Sequence, residues 1–259
     1  MIDSILKNAK FKNLALRINH RASNIAFYQD KLGFKKVLEE GALTLFGTKD
    51  SKSEKFVLEE TPGFRGRKPI DNVKKVKTIY FQISAEDFTV VSCRAEKIIL
   101  SEAGKVAYFT SPEEDVIALF TGELSEVGTE VIPELKEFDT DFRLNDYTLV
   151  KLKLNVSNLE VAIQKYEQIF DLNFEQNRLI FPFEEPFILE LIEADGKELE
   201  GFVEDLWDIE YFELQVAEQS DLRALADYFE TQNLDYFIDD AQTILTVKDA
   251  SELEWFFTK

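Results

Sequence analysis

One cysteine, one histidine, six prolines and ten glycines in 259 residues set the first limits on this chain. Cys93 has no second cysteine to bridge, so an intrachain disulfide is excluded. A lone imidazole, His20, rules out a multi-histidine metal centre, and there is no HExxH, no D-[TS]-G and no G-x-S-x-G string to seed a known protease site. No apolar run approaches the roughly 20 residues needed to cross a bilayer. Met1 to Lys12 mixes Asp3, Lys7, Lys10 and Lys12 with short apolar pairs, and it lacks the apolar core of a secretory leader. The expected compartment is therefore the cytoplasm, with surface exposure only by a non-classical route.

What is abundant is apolar and acidic. With 45% hydrophobic residues and 23 phenylalanines, the chain can fill two cores, and its length exceeds what one core usually organises. The net charge of −20 is unevenly spread. Residues 1–124 carry 20 Lys+Arg against 17 Asp+Glu, while residues 125–259 carry 10 against 33. A second half at −23 repels phosphate backbones and anionic lipid headgroups, which argues against nucleic-acid and membrane partners.

An internal repeat organises the whole sequence. The first copy has a strand at Leu14–Ile18 and a polar turn at Asn19-His20. A helix follows from Ser23 to Leu32, stopped by Gly33, then strands at Phe34–Glu39, Leu43–Phe46 and Lys55–Glu60. The second copy repeats this order with a strand at Thr78–Ile83, a helix at Glu86–Glu96 and strands at Lys97–Leu100, Val106–Thr110 and Val116–Thr121. The third opens at Lys151–Val156, caps its helix with Ser157-Asn158, and returns at Phe174-Glu175, Arg178–Pro182 and Phe187–Glu193. The fourth runs from Tyr211–Val216 through a helix at Ser220–Gln232 to Tyr236–Ile238, Thr243–Val247 and Leu253–Phe257. The expected class is α+β: four βαβββ modules paired into two domains, residues 1–124 and 146–259. Between them, residues 125–145 form an acidic exposed connector, or else an amphipathic element burying Val131, Ile132, Leu135 and Phe138.

The string Ala26-Phe27-Tyr28-Gln29-Asp30-Lys31-Leu32-Gly33-Phe34, set in this fourfold repeat, resembles the opening module of the vicinal oxygen chelate superfamily of glyoxalases, bleomycin-resistance proteins and extradiol dioxygenases. The resemblance implies cupped, mostly antiparallel sheets around concave sites. More narrowly, the run Glu59-Glu60-Thr61-Pro62-Gly63-Phe64-Arg65-Gly66-Arg67 and the Phe-Tyr helix resemble the CppA family of Gram-positive cocci. That resemblance implies a proteinase degrading the third component of complement, which would then be the partner.

A chelate enzyme needs imidazole, amide or carboxylate ligands at the first and last strand of each module. The equivalent positions here are Asn13, Glu59, Thr78 and Ala118 in the first two copies, and Lys151, Glu190, Tyr211 and Glu254 in the last two. This set holds no metal, so no cofactor is expected, nor a metal-dependent glyoxalase or dioxygenase activity; a Lys151–Glu190 pair is the simpler expectation. His20 is the one candidate for a catalytic base and equally a turn or cap residue, while Cys93 is expected to pack as a small hydrophobe. The turn Thr61–Lys77 brings Arg65 and Arg67 beside Glu59, where two guanidiniums could clamp an anion or belong to a solvated basic surface. Two functions stay open: a proteinase on the family pattern, or a metal-free protein of this fold that binds a small anionic or apolar ligand or a partner protein.

Overall fold

The computed structural model describes residues 2–61, 73–134, 137–201 and 205–259. A short helix α1 (Ile2–Lys7) precedes the repeats. The first module is β1 (Lys10–Ile18), α2 (Arg21–Ile25) widening into a π-helical turn at Ala26–Lys31, β2 (Lys35–Glu40), β3 (Leu43–Gly47) and β4 (Phe56–Glu60). The second is β5 (Val76–Ile83), α3 (Ala85–Val91), β6 (Lys97–Leu100), β7 (Gly104–Thr110) and β8 (Val116–Gly122), followed by β9 (Thr129–Val131). The third is β10 (Tyr147–Val156), α4 (Leu159–Phe170), β11 (Arg178–Phe181) and β12 (Phe187–Glu193). The fourth is β13 (Ile209–Gln215), α5 (Gln219–Thr231), β14 (Tyr236–Ile238), β15 (Ile244–Lys248) and β16 (Glu254–Thr258).

Local signals explain most boundaries. Asn158 accepts from the Val161 amide at 3.0 Å and Ser84 accepts from the Asp87 amide at 3.0 Å, so α4 and α3 both start on side-chain caps. Gly33 ends the first helix at φ +85°, and a Cβ there would meet the Phe142 ring at 3.0 Å. The strand expected at Phe174-Glu175 does not form. Asp171 and Gln176 take left-handed φ of 52° and 62°, and this tight reversal leaves only an isolated bridge between Glu175 and Arg178.

The described strands form two eight-stranded sheets, and packing divides the chain into two compact units that interleave along it. Unit 1 comprises Met1–Arg17, Gly63–Val76 and Leu152–Lys259; unit 2 comprises Ile18–Pro62 and Lys77–Lys151. Boundaries drawn at residues 124 and 146 follow repeat order, whereas these units follow the density of packing. Within unit 1, β1 runs antiparallel to β13 with Leu14 opposite Phe212, β13 lies parallel to β16, and β15 and β14 complete the run. One face carries Phe212, Leu214, Trp255 and Phe257 into the core under α4 and α5. Trp255 stacks on Phe212 at 4.1 Å and meets Phe170 at 4.8 Å, and Phe229 meets Phe257 at 5.9 Å. Unit 2 contains the run β5-β8-β7-β6-β9 of one sheet and the β4-β3-β2 meander of the other. Its core gathers Tyr28, Phe34, Phe46, Phe56, Phe81 and Tyr147, with Phe34 stacked on Tyr147 at 4.1 Å.

The described part of the acidic stretch is mostly exposed, against the alternative of a buried amphipathic element. Residues Thr129–Val131 add to β6 as an edge strand, with Val131 opposite Ile98, while Val131, Ile132 and Phe138 keep exposed surface. Leu135 lies outside the described residues. The stretch is tied down by Arg94, which is buried and donates to the carbonyls of Asp30 at 3.0 Å, Lys31 at 3.3 Å and Asp139 at 3.0 Å. Its guanidinium also lies 4.4 Å from the Phe138 ring. Arg94→Lys keeps the charge and loses the planar fork, so we expect about 1–3 kcal/mol lower stability by urea unfolding and faster proteolysis near Phe138. Equal midpoints and unchanged cutting would contradict this anchoring.

Candidate functional site

In unit 2 the face equivalent to a chelate cup is filled. Parallel pairing sets Tyr80 opposite Ala118 and Gln82 opposite Phe120, and Tyr80, Ala118, Phe120, Val106 and Ile99 form a buried cluster with Tyr108, Leu124 and Val150 packed on it. Of the expected ligand positions, Ala118 offers only a methyl, and Thr78 donates its hydroxyl to the Lys77 carbonyl at 2.7 Å. Lys151 is nearly buried. Its Nζ lies 2.6 Å from Glu126 Oε1 and 5.3 Å from the centre of the Tyr80 ring. Burial pushes the Tyr80 phenol far up, and the neighbouring Glu126 and Tyr108 push it further. Burial and Glu126 raise Tyr108 as well. An ammonium thus occupies the ground a divalent ion would need, held by a glutamate whose sequence context places it in an exposed connector. Glu190 accepts from Arg178 Nε at 3.1 Å and lies 3.7 Å from Lys153 Nζ.

Unit 1 keeps its equivalent face partly open. Tyr211 pairs with Glu254, Glu213 pairs with Phe256, and Asn13 lies opposite Glu213, so strand alternation puts Asn13, Tyr211, Glu213, Glu254, Phe256 and Thr258 on the side away from Trp255. The Tyr211 and Phe256 rings meet edge-on at 5.0 Å, both half-buried. Glu213 is saturated: Lys12 Nζ donates to Oε1 at 2.9 Å, Thr258 Oγ1 donates to Oε1 at 2.8 Å, and Asn13 Nδ2 donates to Oε2 at 2.8 Å. Burial alone would raise its carboxyl, but these donors outweigh it and hold the group below the usual carboxylate range. Glu213 was missed in the sequence, although its position two residues beyond Tyr211 marks the same face.

A depressed folded pKa means that Glu213 contributes stability above its unfolded pKa and loses it as pH falls through the folded value. Glu213→Gln should therefore unfold at lower urea than the parent near neutral pH, by about 1–2 kcal/mol, with the gap closing as pH falls through the carboxylate range. A gap constant from pH 7 to the acid limb would contradict the assignment.

The remaining sequence candidates separate. His20 is exposed at the start of α2. Its imidazole makes no hydrogen bond among the described residues, while its amide and that of Asn19 donate to Glu113 Oε1 at 3.4 and 2.8 Å. Cys93 is half-buried and donates to the Val90 carbonyl at 3.2 Å. Glu59 is half-buried on β4, opposite Leu43. Arg65 and Arg67 lie outside the described residues. Further along the basic run, Lys75 is buried and donates to the carbonyls of Gly201 at 2.7 Å and Ser251 at 2.6 Å, so that part of the run is structural rather than solvated.

Four repeated modules, three of them βαβββ and the third βαββ, with degenerate chelate positions define a protein of the vicinal oxygen chelate fold. Its residues 11–127 match the CppA N-terminal family profile and residues 144–257 match the CppA C-terminal profile, and the chain belongs to the CppA family. Among solved structures it is similar to the CppA protein of Streptococcus pneumoniae TIGR4, at 24% identity and TM-score 0.71 over 97% of this chain and 99% of that one. It is also similar to a candidate dioxygenase from Bacillus subtilis, at 12% identity and TM-score 0.65 over 96% and 84%. A glyoxalase I mutant from Zea mays matches at 13% identity and TM-score 0.56 over 100% and 95%. No curated protein matches the chain. Among the described residues no cluster of three metal-ligating side chains occurs, and no helix is long and apolar enough to cross a membrane.

Proposed function

We propose that this CppA-family chain is a metal-independent binding protein, using the open aromatic face of unit 1 to hold a small apolar ligand or an apolar group of a partner protein. The supporting observation is that face itself: the Tyr211 and Phe256 rings meet on it, and of its two carboxylates Glu213 is consumed by Lys12, Asn13 and Thr258 while Glu254 lies 4.0 Å from Lys248. The residues do not fit a divalent ion. A lysine at position 151 and an amide at position 13 leave no open, anionic ligand set.

Anilinonaphthalene sulfonate, an aromatic anion, is a suitable probe. Its fluorescence should rise on titration into the protein, and Tyr211→Ser with Phe256→Ser should weaken binding about tenfold or more, as expected when buried aromatic area is lost. Equal affinity in the double variant overturns this use of the face. Elemental analysis should find no stoichiometric zinc, iron or manganese, and chelators should leave the thermal midpoint unchanged. About one tightly held ion per chain contradicts the metal-independent reading.

The proteinase activity implied by the family resemblance is the finer alternative. Purified protein incubated with the third component of complement, beside a His20→Ala variant and a mock purification, is expected to cleave no more than the mock. Cleavage that tracks the protein and disappears with His20→Ala would establish the proteinase instead.

A further inference from the structure

The open edge of the unit 1 sheet carries a second recognition surface, at the β14 margin of the same sheet face that bears Tyr211 and Phe256. Strand β14 pairs with β15 alone and ends the sheet. Asp239 N–H donates to the Ile244 carbonyl at 3.1 Å, so the hydrogen-bonded pairs are Asp239–Ile244 and, two residues back, Phe237–Thr246. Alternation then turns the backbone groups of Tyr236 and Ile238 outward, where they have no partner among the described residues. Phe237 keeps 61% of its surface exposed. Beside it is a depression of about 200 Å³ lined by Asp235, Phe237, Thr246, Lys248 and Glu254 among others. That is room for one long side chain, below the roughly 300–1,000 Å³ of sites for whole ligands.

The charge of this edge selects the occupant. Residues 233–259 carry six acids and two lysines. Lys248 is engaged by Glu252 at 3.6 Å and Glu254 at 4.0 Å, while Asp235 has no cationic partner among the described residues. Asp235 and Phe237 are two residues apart, hence on one face of the strand.

We propose that β14 docks an extended basic segment of a partner protein as an added strand. The segment hydrogen-bonds to the outward groups of Tyr236 and Ile238, sets an apolar side chain over Phe237, and places an Arg or Lys two residues away against Asp235 at the rim of the depression. Backbone pairing supplies register, and the alternate side chains supply selectivity. The pattern it recognises is apolar-x-basic in a strand-forming segment.

The test uses a capped peptide, Thr-Val-Thr-Arg-Thr, titrated into the full chain and followed by isothermal calorimetry and amide chemical shifts. Binding is expected, with shifts centred on residues 235–239 and affinity falling as salt rises. Arg-to-Glu in the peptide, or Asp235→Lys in the protein, should weaken binding about tenfold or more. Phe237→Ser should do the same, and it sits on exposed surface, so an unchanged thermal midpoint will show the fold intact. Replacing the central threonine by proline removes a ladder donor and should abolish binding. Equal affinity for the proline or glutamate peptide, no effect of Phe237→Ser, or ethylguanidinium binding as tightly as the peptide would each overturn strand addition. Self-association lost in Phe237→Ser would overturn it in favour of a second copy as the occupant.

Discussion

A fragment comprising residues 144–259, produced without residues 1–17, should fail to fold, showing weak near-ultraviolet circular dichroism and no cooperative urea transition. Family profiles divide the chain at 127 and 144, which makes this half look self-sufficient. Unit 1, however, takes its sheet strand β1 from the opposite end of the chain. Leu14 and Leu16 are fully buried in unit 1 and Phe11 packs on Phe187 at 4.6 Å and Phe212 at 6.2 Å. Each large buried apolar side chain removed costs about 2–5 kcal/mol, so losing Leu14 and Leu16, together with the half-buried Phe11, removes much of a domain's roughly 5–15 kcal/mol. Adding a peptide of residues 1–18 should restore structure in part. For the same reason, the intact chain nicked between residues 131 and 138 should stay together in native size exclusion and separate only in denaturant. A cooperative, native-like transition in the lone fragment would disprove this account of unit 1.

The second large effect is expected at Lys151. Removing one partner of a buried ion pair costs about 3–5 kcal/mol when both are fully desolvated. Glu126 keeps 29% of its side-chain surface, so Lys151→Ala should cost somewhat less, about 2–4 kcal/mol. Lys151→Met with Glu126→Gln should recover most of that loss, because neither member is left charged beside Tyr80. If the double variant is as unstable as Lys151→Ala, the lysine acts by packing alone and the charge pair is not what fills the cup.

These two sites also show what could be read from residues and what could not. The repeat was visible because Phe27-Tyr28 and Leu32-Gly33-Phe34 combine helical spacing with a glycine stop, and Tyr28 and Phe34 do enter the unit 2 core. Strand alignment of the copies named Tyr211 and Glu254 separately, as first- and last-strand positions, and the sheet sets them opposite each other. The partnership of β1 with β13 was not legible, because alternation states which face of a strand is buried and says nothing about a neighbour nearly 200 residues away. Glu126 was hidden for another reason: one inward-facing acid in a run of solvated acids has the same local pattern as the others. The sequence directed attention to strand neighbours of Lys151, and nothing in it signalled that Glu126 reaches Lys151 from the segment after β8.

The pairing of β1 with β13 also orders events in time. A ribosome adding about 5–20 residues per second leaves Leu14 waiting roughly 10–40 s before Phe212 exists to pair with it. During that interval residues 18–62 and 77–151 are already complete and can condense as unit 2. The edge of β1 that receives β13 must meanwhile stay unpaired, open to chaperones and to misdirected pairing, until residues 209–215 have been made.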